Sequence, residues 1–437
     1  MTAPRVPTLG IDEELKDKIL FTLLALLIYR IGAHIVAPGV NVQALADFIR
    51  NSGAAGFFGL YDTLGGGLSR ATVFALGIMP YISASIIFQL AGSVVPSVGK
   101  LQKDEEGRKR LTQWTRYAAV LISLAQAYTF ALFTESIPGA ITNPGFASRL
   151  VMVVTLTAGA VFVMWLGERI TERGLGNGMS LLIAVSILEQ LWPGTLQLLS
   201  FIKNDVVSPI GALIFVAVLV ASIAAVTAMT IAARKIPIQI PRKVMGRGRI
   251  REGQKTYIPI RLITAGVMPI IFAQTIIIVP GTIASFTKNQ TMTDIAAFFT
   301  PGGIPYGILF SVMIVAFSYL YTSMVFNAVD LSENLKKQGA FIPGVKPGAA
   351  TADYIDDVLG RVTLPGALFL AAISLIPIIV STSLNIQTQF GGTSVLIVVG
   401  VLLDTIAQVE QHRQLRKYDS FMKMGRVRFR GRQQRFM

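Results

Sequence analysis

The sequence predicts an all-α polytopic membrane protein of ten transmembrane helices, divided into two inverted halves of five about a central cavity. Three observations lead there. Of 437 residues, 52% are hydrophobic and only 14% charged. A soluble domain carries about 25% charged residues, so this chain lacks the charge to cover its own surface. Ten apolar runs approach or exceed the roughly 20 residues that a bilayer crossing needs. Finally, the stretch Phe57 to Pro96 opens with an apolar piece too short to span, breaks at Gly65, Gly66 and Gly67, and continues into a run long enough to cross. Non-helical backbone survives at membrane depth only where protein or a water-filled cavity surrounds it. The half-inserted piece therefore implies a cavity.

In chain order the spans are expected at about 18 to 36, 71 to 96, 111 to 135, 147 to 167, 178 to 192, 208 to 232, 258 to 287, 305 to 326, 364 to 385 and 393 to 411. The first run has the length of a signal-peptide apolar region, but the similar runs after it make it the first permanent span. Lysine and arginine group in alternate connections. With the N-terminus inside, the inner segments hold 33 of the 39 lysines and arginines. The outer segments hold only Arg50, Arg70, Arg149, Lys203 and Lys288, and Arg30 lies within the first span. By the positive-inside rule both termini are cytoplasmic.

Ten spans divide at the outer connection 193 to 207. The expected units are an N-terminal half, 1–192, a C-terminal half, 193–411, and a basic cytoplasmic tail, 412–437. An odd number of spans per half makes the second half enter from the opposite side, as in inverted repeats around a central path. The two halves have no clear residue-level match, so the repeat rests on span count.

Two inner connections stand out. Residues 233 to 257 carry seven basic residues before Lys255, and Pro237 and Pro241 prevent a simple helical continuation. A projecting basic hairpin or loop is expected. Residues 327 to 363 contain NLKKQGAFIPGVKPG, where Pro343, Gly344, Pro347 and Gly348 impose turns and Lys336, Lys337 and Lys346 supply charge. Retention by anionic headgroups uses such charge, but it does not require loops this long.

Composition also excludes. Cysteine is absent, so neither a disulfide framework nor a thiolate metal site is available. With only His34 and His412, a histidine metal centre is not expected, and no cofactor is implied. Neither a catalytic-triad arrangement nor an HExxH pattern is present, so no enzyme is expected. Ion-coupled transporters place ionisable groups near the bilayer centre. The charged residues singled out in or beside spans are Arg30, Glu135, Glu168 and Asp404, and all but Arg30 fall close to a span end. Arg30 is read as structural, snorkelling or paired. The neutral groups Gln89, Thr264 and Gln274 suit helix contacts that open, since such bonds average about 0.6 kcal/mol. GLGNG at 174 to 178 does not follow a strand, so Asn177 is expected to cap a helix starting near Gly178 rather than to cradle phosphate.

Five stretches carry a resemblance: LSRATVFALGIMPYISASIIFQL (68 to 90), WLGERITERGLGNGMSLLI (165 to 183), TYIPIRLITAGVMPIIFA (256 to 273), NLKKQGAFIPGVKPG (334 to 348) and FGGTSVLIVVGVLLDTIAQVE (390 to 410). Together they resemble the SecY family of bacterial protein-conducting channels over nearly the whole chain. The resemblance implies two pseudo-symmetric inverted five-helix halves, a central hourglass pore, an outer plug, and a lateral gate between the second and third spans on one side and the seventh and eighth on the other.

Carried over by position, the pore ring is Ile78, Ile82, Met179, Ile183, Ile271 and Ile397. Ile78 and Ile82 stand four apart, as do Met179 and Ile183, so each pair shares a helical face. Read without the resemblance, such residues would face lipid or core. Met179 departs from the expected isoleucine, but its flexible thioether adapts to varied side chains. The plug spans about 57–67, with Phe58, Leu60, Tyr61 and Leu64 in its body and Gly65, Gly66 and Gly67 as hinge. The lateral gate is assigned to Gln89, Thr115 and Thr264. The family's seventh-span asparagine aligns with Ile263, and Thr264 sits about 100 degrees further round the helix.

The docking loops are Arg242, Lys243, Arg247, Arg249, Lys336, Lys337 and Lys346. Lys346 replaces an arginine and loses its planar fork. Gly248 separates Arg247 from Arg249, which alters the spacing of the family's paired arginines. The implied partners are SecE and SecG, the SecA motor ATPase, the ribosome through rRNA phosphates, signal peptides and unfolded preproteins, and anionic lipids. The implied function is translocation of unfolded secretory polypeptides across the bacterial inner membrane, with lateral release of transmembrane helices into it. A secondary transporter of a small solute has the same gross topology, and the missing central ionisable groups weigh against it. A third reading is a membrane-insertion scaffold with no open pore.

Overall fold

The first helix, α1 (Glu13–Gly32), begins with Glu13 and Glu14 and ends with Arg30 in its last turn. Each charge sits at the end of the helix dipole that it complements. Thr22, Ala25 and Tyr29 are buried while Leu20, Leu23, Leu24, Leu27 and Ile31 are exposed, which leaves an apolar face for lipid. The structure, a computed structural model, describes residues 13–51, 58–59, 61–62, 67–239, 244–245, 249–250, 255–263, 266–286, 303–384 and 392–433.

A short amphipathic helix, α2 (Val42–Asn51), buries Leu45 and Ile49 and is followed by a 3-10 turn at Leu68–Arg70. Next come α3 (Met79–Val94), α4 (Pro96–Lys103), α5 (Glu105–Glu135), α6 (Phe146–Arg173), α7 (Gly178–Lys203) and α8 (Pro209–Ile231). Four strands follow: β1 (Ala233–Gln239), β2 (Val244–Met245), β3 (Arg249–Ile250) and β4 (Lys255–Arg261). The chain then continues as α9 (Met268–Phe286), α10 (Ile304–Val325), α11 (Ala328–Lys337), α12 (Ala349–Ser383) and α13 (Gly392–Gln433).

Seven of the described helices, α5, α6, α7, α8, α10, α12 and α13, are by themselves long and apolar enough to cross a membrane. The helices α3 and α4 qualify only as a pair bent by 111°. With α1 and α9, the ten expected spans each have a helix. The protein is a multi-pass membrane protein.

Several boundaries differ from the sequence expectation. The second span becomes helical only at Met79, not at 71, because Ala71 and Gly77 adopt φ of 45° and 53° and Thr72 pairs in a β-bridge with Val36. Such left-handed conformations end a right-handed helix. The seventh span starts at Met268, not 258, since Lys255–Arg261 is strand. Helix α7 continues through Pro193 to Lys203, so the expected division at 193 falls inside it. Helix α12 starts at Ala349 and α13 runs to Gln433, both well outside the apolar windows.

The expected basic hairpin is β1 paired antiparallel with β4, from Ala233↔Arg261 to Gln239↔Lys255. The alternation of β1 buries Ile236 and Ile238 on one face and exposes Lys235 and Pro237 on the other. The buried residues join Ile260, Leu335, Ala340, Ile342, Ile355 and Leu359 in a separate core. The two basic projections are therefore one folded body, seated on α11 and the start of α12.

Candidate functional site

A cavity of about 410 Å³ opens where α3, α5, α6, α7, α9 and α10 converge. Its rim is polar, with Thr112, Arg116, Glu168, Glu172 and Asn177. Arg116 Nε donates to Glu168 Oε1 at 2.8 Å and ties α5 to α6 there. Asn177 caps α7 as its sequence context predicts, its Oδ1 accepting from the N–H groups of Met179 at 3.1 Å and Ser180 at 3.4 Å. Thr171 Oγ1 takes the Gly178 N–H at 2.9 Å.

The base of the cavity is apolar: Ile82 from α3, Met179 and Ile183 from α7, and Ile271 from α9. Ile82, Ile183 and Ile271 are buried, and Met179 packs on them half-buried. The other two residues carried over by resemblance, Ile78 and Ile397, are 1% and 0% exposed. They belong to the same apolar cluster but do not line the cavity. Ile78 is the N-cap of α3, and its carbonyl still accepts from Ile82 N at 3.1 Å, which preserves the spacing of four.

Of the gate positions, Gln89 lines the cavity wall and donates to Ser85 Oγ on its own helix at 2.8 Å. Thr115 is buried, donates to the Leu111 carbonyl at 2.9 Å and does not line the cavity. Thr264 lies outside the described residues, and the neighbouring Ile263 is buried in the main core. Helix α9 packs against α3, so the joint between the two halves runs along the cavity. On α9, Gln274 is 1% exposed, and neither of its amide atoms has a partner among the described residues. Among the described residues it does not make the helix-joining hydrogen bond that its residue type suggests.

Leu60, Leu64, Gly65 and Gly66 lie outside the described residues. Phe58 and Tyr61 are 1% and 2% exposed and belong to the same cluster as the cavity base. The Phe58 and Phe133 ring centroids are 5.6 Å apart, and Tyr61 OH donates to the Leu76 carbonyl at 3.4 Å. Gly67 has φ of −118°, so it is not glycine for its dihedral. A Cβ there would lie 2.5 Å from Thr72 Oγ1.

Arg242, Lys243 and Arg247 also lie outside the described residues. Arg249 is in β3, paired with Met245 of β2. Lys336, Lys337 and Lys346 are exposed on the same folded body as the hairpin. Lys336 and Lys337 end α11, where cations favour the helix dipole. Around Lys346, Thr351 Oγ1 donates to its carbonyl at 2.8 Å and Ser332 Oγ donates to the Gly348 carbonyl at 2.6 Å.

One residue escaped the sequence reading. Glu189 of α7 forms an ion pair with Arg30 and also lies 3.6 Å from Arg70 and 3.7 Å from His34. The signal was available, because an arginine inside a span needs a counter-charge, but Glu189 is embedded in an apolar run. Glu135 and Glu168 pair with Arg149 and Arg116.

The family model described as SecY matches residues 72–406. The chain is 43% identical to the protein translocase subunit SecY of Aquifex aeolicus over 420 residues, 94% of this chain and 97% of that one. It is 39% identical to the protein translocase subunit SecY of Escherichia coli over 430 residues, 96% of each. Among solved structures, its fold is similar to that of a SecY whose plug domain stabilises the closed state of the translocation channel and maintains a membrane seal, with a TM-score of 0.66 at 19% identity over 94% and 95% of the two chains. It is also similar to Sec61 in the canine ribosome-channel complex from the endoplasmic reticulum, with a TM-score of 0.61 at 17% identity over the same shares. A family model covering most of the chain, with identities near 40% over almost its whole length, places the chain plainly: it belongs to the SecY family.

Proposed function

We propose that this protein is a protein-conducting channel that passes unfolded secretory polypeptides across a bacterial inner membrane and releases transmembrane helices sideways into it. The observation that carries this reading is the apolar base of Ile82, Met179, Ile183 and Ile271 beneath a polar rim, at the joint between α3 and α9. With Ile78 and Ile397 these residues form the ring that closes around the chain in transit. The ring seals by dewetting at rest and parts without holding its cargo. When α3 and α9 separate, a segment in the pore meets lipid. Leucine, isoleucine, phenylalanine and valine each favour the bilayer centre by about 0.3 to 0.6 kcal/mol, so a long apolar segment leaves sideways and a polar one passes through.

The segment at 57–67 is the plug, and Gln89, Thr115 and Thr264 mark the gate. Residues 1–192 and 193–411 act as the two inverted halves, with both termini and the tail 412–437 in the cytoplasm. The driving force comes from partners. The body that carries Lys336, Lys337 and Lys346, with Arg242, Lys243, Arg247 and Arg249 of the sequence between β1 and β4, docks the SecA motor ATPase or a ribosome. Clustered cations suit rRNA phosphates, and the same charge favours anionic lipid. SecE and SecG complete the membrane complex, and signal peptides enter through the polar rim.

Proteoliposomes holding the assembled complex test the reading. A precursor protein should enter only with motor and ATP. Gradient-driven uptake of a small solute without either would overturn it.

A further inference from the structure

Away from the cavity rim, about 16 Å along α7 from Gly178 at 1.5 Å per residue, basic side chains from two parts of the chain, the end of α1 and the 3-10 turn, converge on Glu189. Its carboxylate pairs with Arg30 of α1 and lies 3.6 Å from Arg70 Nη2 and 3.7 Å from His34 Nε2. The Glu189 side chain is 16% exposed against 43% for Arg30 and 49% for Arg70, so the anion is the enclosed partner. Beside it, Tyr29 and Ser186 share a hydrogen bond of 2.8 Å that ties α1 to α7.

Arg70 is not a free surface cation. It ends the 3-10 turn Leu68–Arg70, and that turn is built on Asp62. The Asp62 carboxylate accepts from Leu68 N at 2.7 Å, from Ser69 N at 3.3 Å and from the Ser69 hydroxyl. Asp62 directly follows Tyr61, which with Phe58 is buried in the main core. Asp62, Gly67, Arg70 and Glu189 line one small cavity of about 20 Å³. A continuous chain of contacts thus runs from the buried aromatics through Asp62 and the turn to Arg70, and from there to Glu189 of α7 and Arg30 of α1.

We propose that Glu189 is a positioning residue for the plug: by holding Arg70 it fixes the turn that carries the plug and keeps the resting channel shut. This rests on the reading of 57–67 as plug. Opening requires Arg70 to leave Glu189, while Arg30 keeps the carboxylate neutralised, so α7 does not acquire an unpaired, largely enclosed anion when the plug moves. A half-exposed guanidinium is screened by salt, which gives the latch a signature that a packing contact lacks.

The test is the resting open fraction of single channels of the full chain in planar bilayers at low and high salt, with precursor import by motor and ATP measured in parallel. Wild type should open more at high salt. Glu189→Gln should raise the resting open fraction about tenfold, the change that 1.4 kcal/mol produces, and abolish its salt dependence, whereas Glu189→Asp should restore both. Arg70→Gln, which leaves the Arg30 pair intact, should match Glu189→Gln, and the double variant should exceed neither. Additive effects, or an open fraction in Glu189→Gln that still responds to salt, would overturn the latch. Unchanged opening with normal import sinks the latch alone, whereas absence of import in wild type sinks the channel reading beneath it.

Discussion

Gln239 and Phe341 exchange both of their backbone hydrogen bonds, at 2.9 and 3.0 Å, and so stitch the basic hairpin to the loop after α11. Beneath that stitch Ile236, Ile238, Ala340 and Ile342 share a core with α12. Ile238→Ala should therefore loosen both projections together. A buried isoleucine cut to alanine costs about 2 to 5 kcal/mol, so limited proteolysis should speed up at least tenfold in residues 233–261 and in 338–348 alike. Faster cleavage in the hairpin alone would mean that the two loops do not stand or fall as one body.

Ile82 and Ile271 close the base of the cavity from α3 and α9, the two helices that meet at the joint between the halves. Replacing both with glycine removes the apolar surface that keeps water out. Resting ion conductance should rise, by about tenfold for each 1.4 kcal/mol taken off the barrier. A double leucine variant, which keeps the volume and polarity of the site, should stay tight. Equal conductance in all three channels would count against the ring.

The chain has no cysteine, so single cysteines at Ile78, Ile183 and Ile397 report without background. These positions are 1%, 1% and 0% exposed at rest. A water-soluble thiol reagent should leave all three unmodified in the idle channel. With an arrested precursor in place, each should crosslink to it. Crosslinking at Ile183 but not at Ile78 or Ile397 would confine the path to the cavity-lining residues.

Local chemistry made some of this legible. Asn177 followed by Gly178 announces a cap because a short amide side chain can take the orphan N–H groups of a helix start. Pro237 and the alternating Ile236 and Ile238 in 233–239 leave only a strand edge or a loop. Other features depend on contacts distant in sequence. Ala71 takes a left-handed φ of 45° in a run that reads as continuous helix, and nothing in its neighbours signals the break. Pro193 sits inside α7 although proline usually stops a helix. Ile238 and Ile342 lie more than a hundred residues apart, so their common core is visible only once β1 and β4 pair. The ring shows the same division. Isoleucines on a helix face look like any lipid-facing surface, and only the resemblance set these apart.

Gln274 carries the last prediction. It is 1% exposed on α9, three residues beyond Ile271, and neither its Oε1 nor its Nε2 finds a partner among the described residues. An unsatisfied buried amide costs about 1 to 3 kcal/mol, and under the proposed gating that cost falls on the form in which α9 is packed against α3. Separation of the two helices gives the amide water or a passing backbone to bond, so the residue biases the gate toward opening. Gln274→Met has nearly the same length and no polar atoms. It should stabilise the closed channel by a similar amount, which corresponds to a fall in open fraction of about 5 to 150-fold. Import of precursors with weakly apolar signal segments should suffer first, because they bring the least energy to the gate. A Gln274→Met channel that opens as often as wild type would mean that the amide is already satisfied at rest.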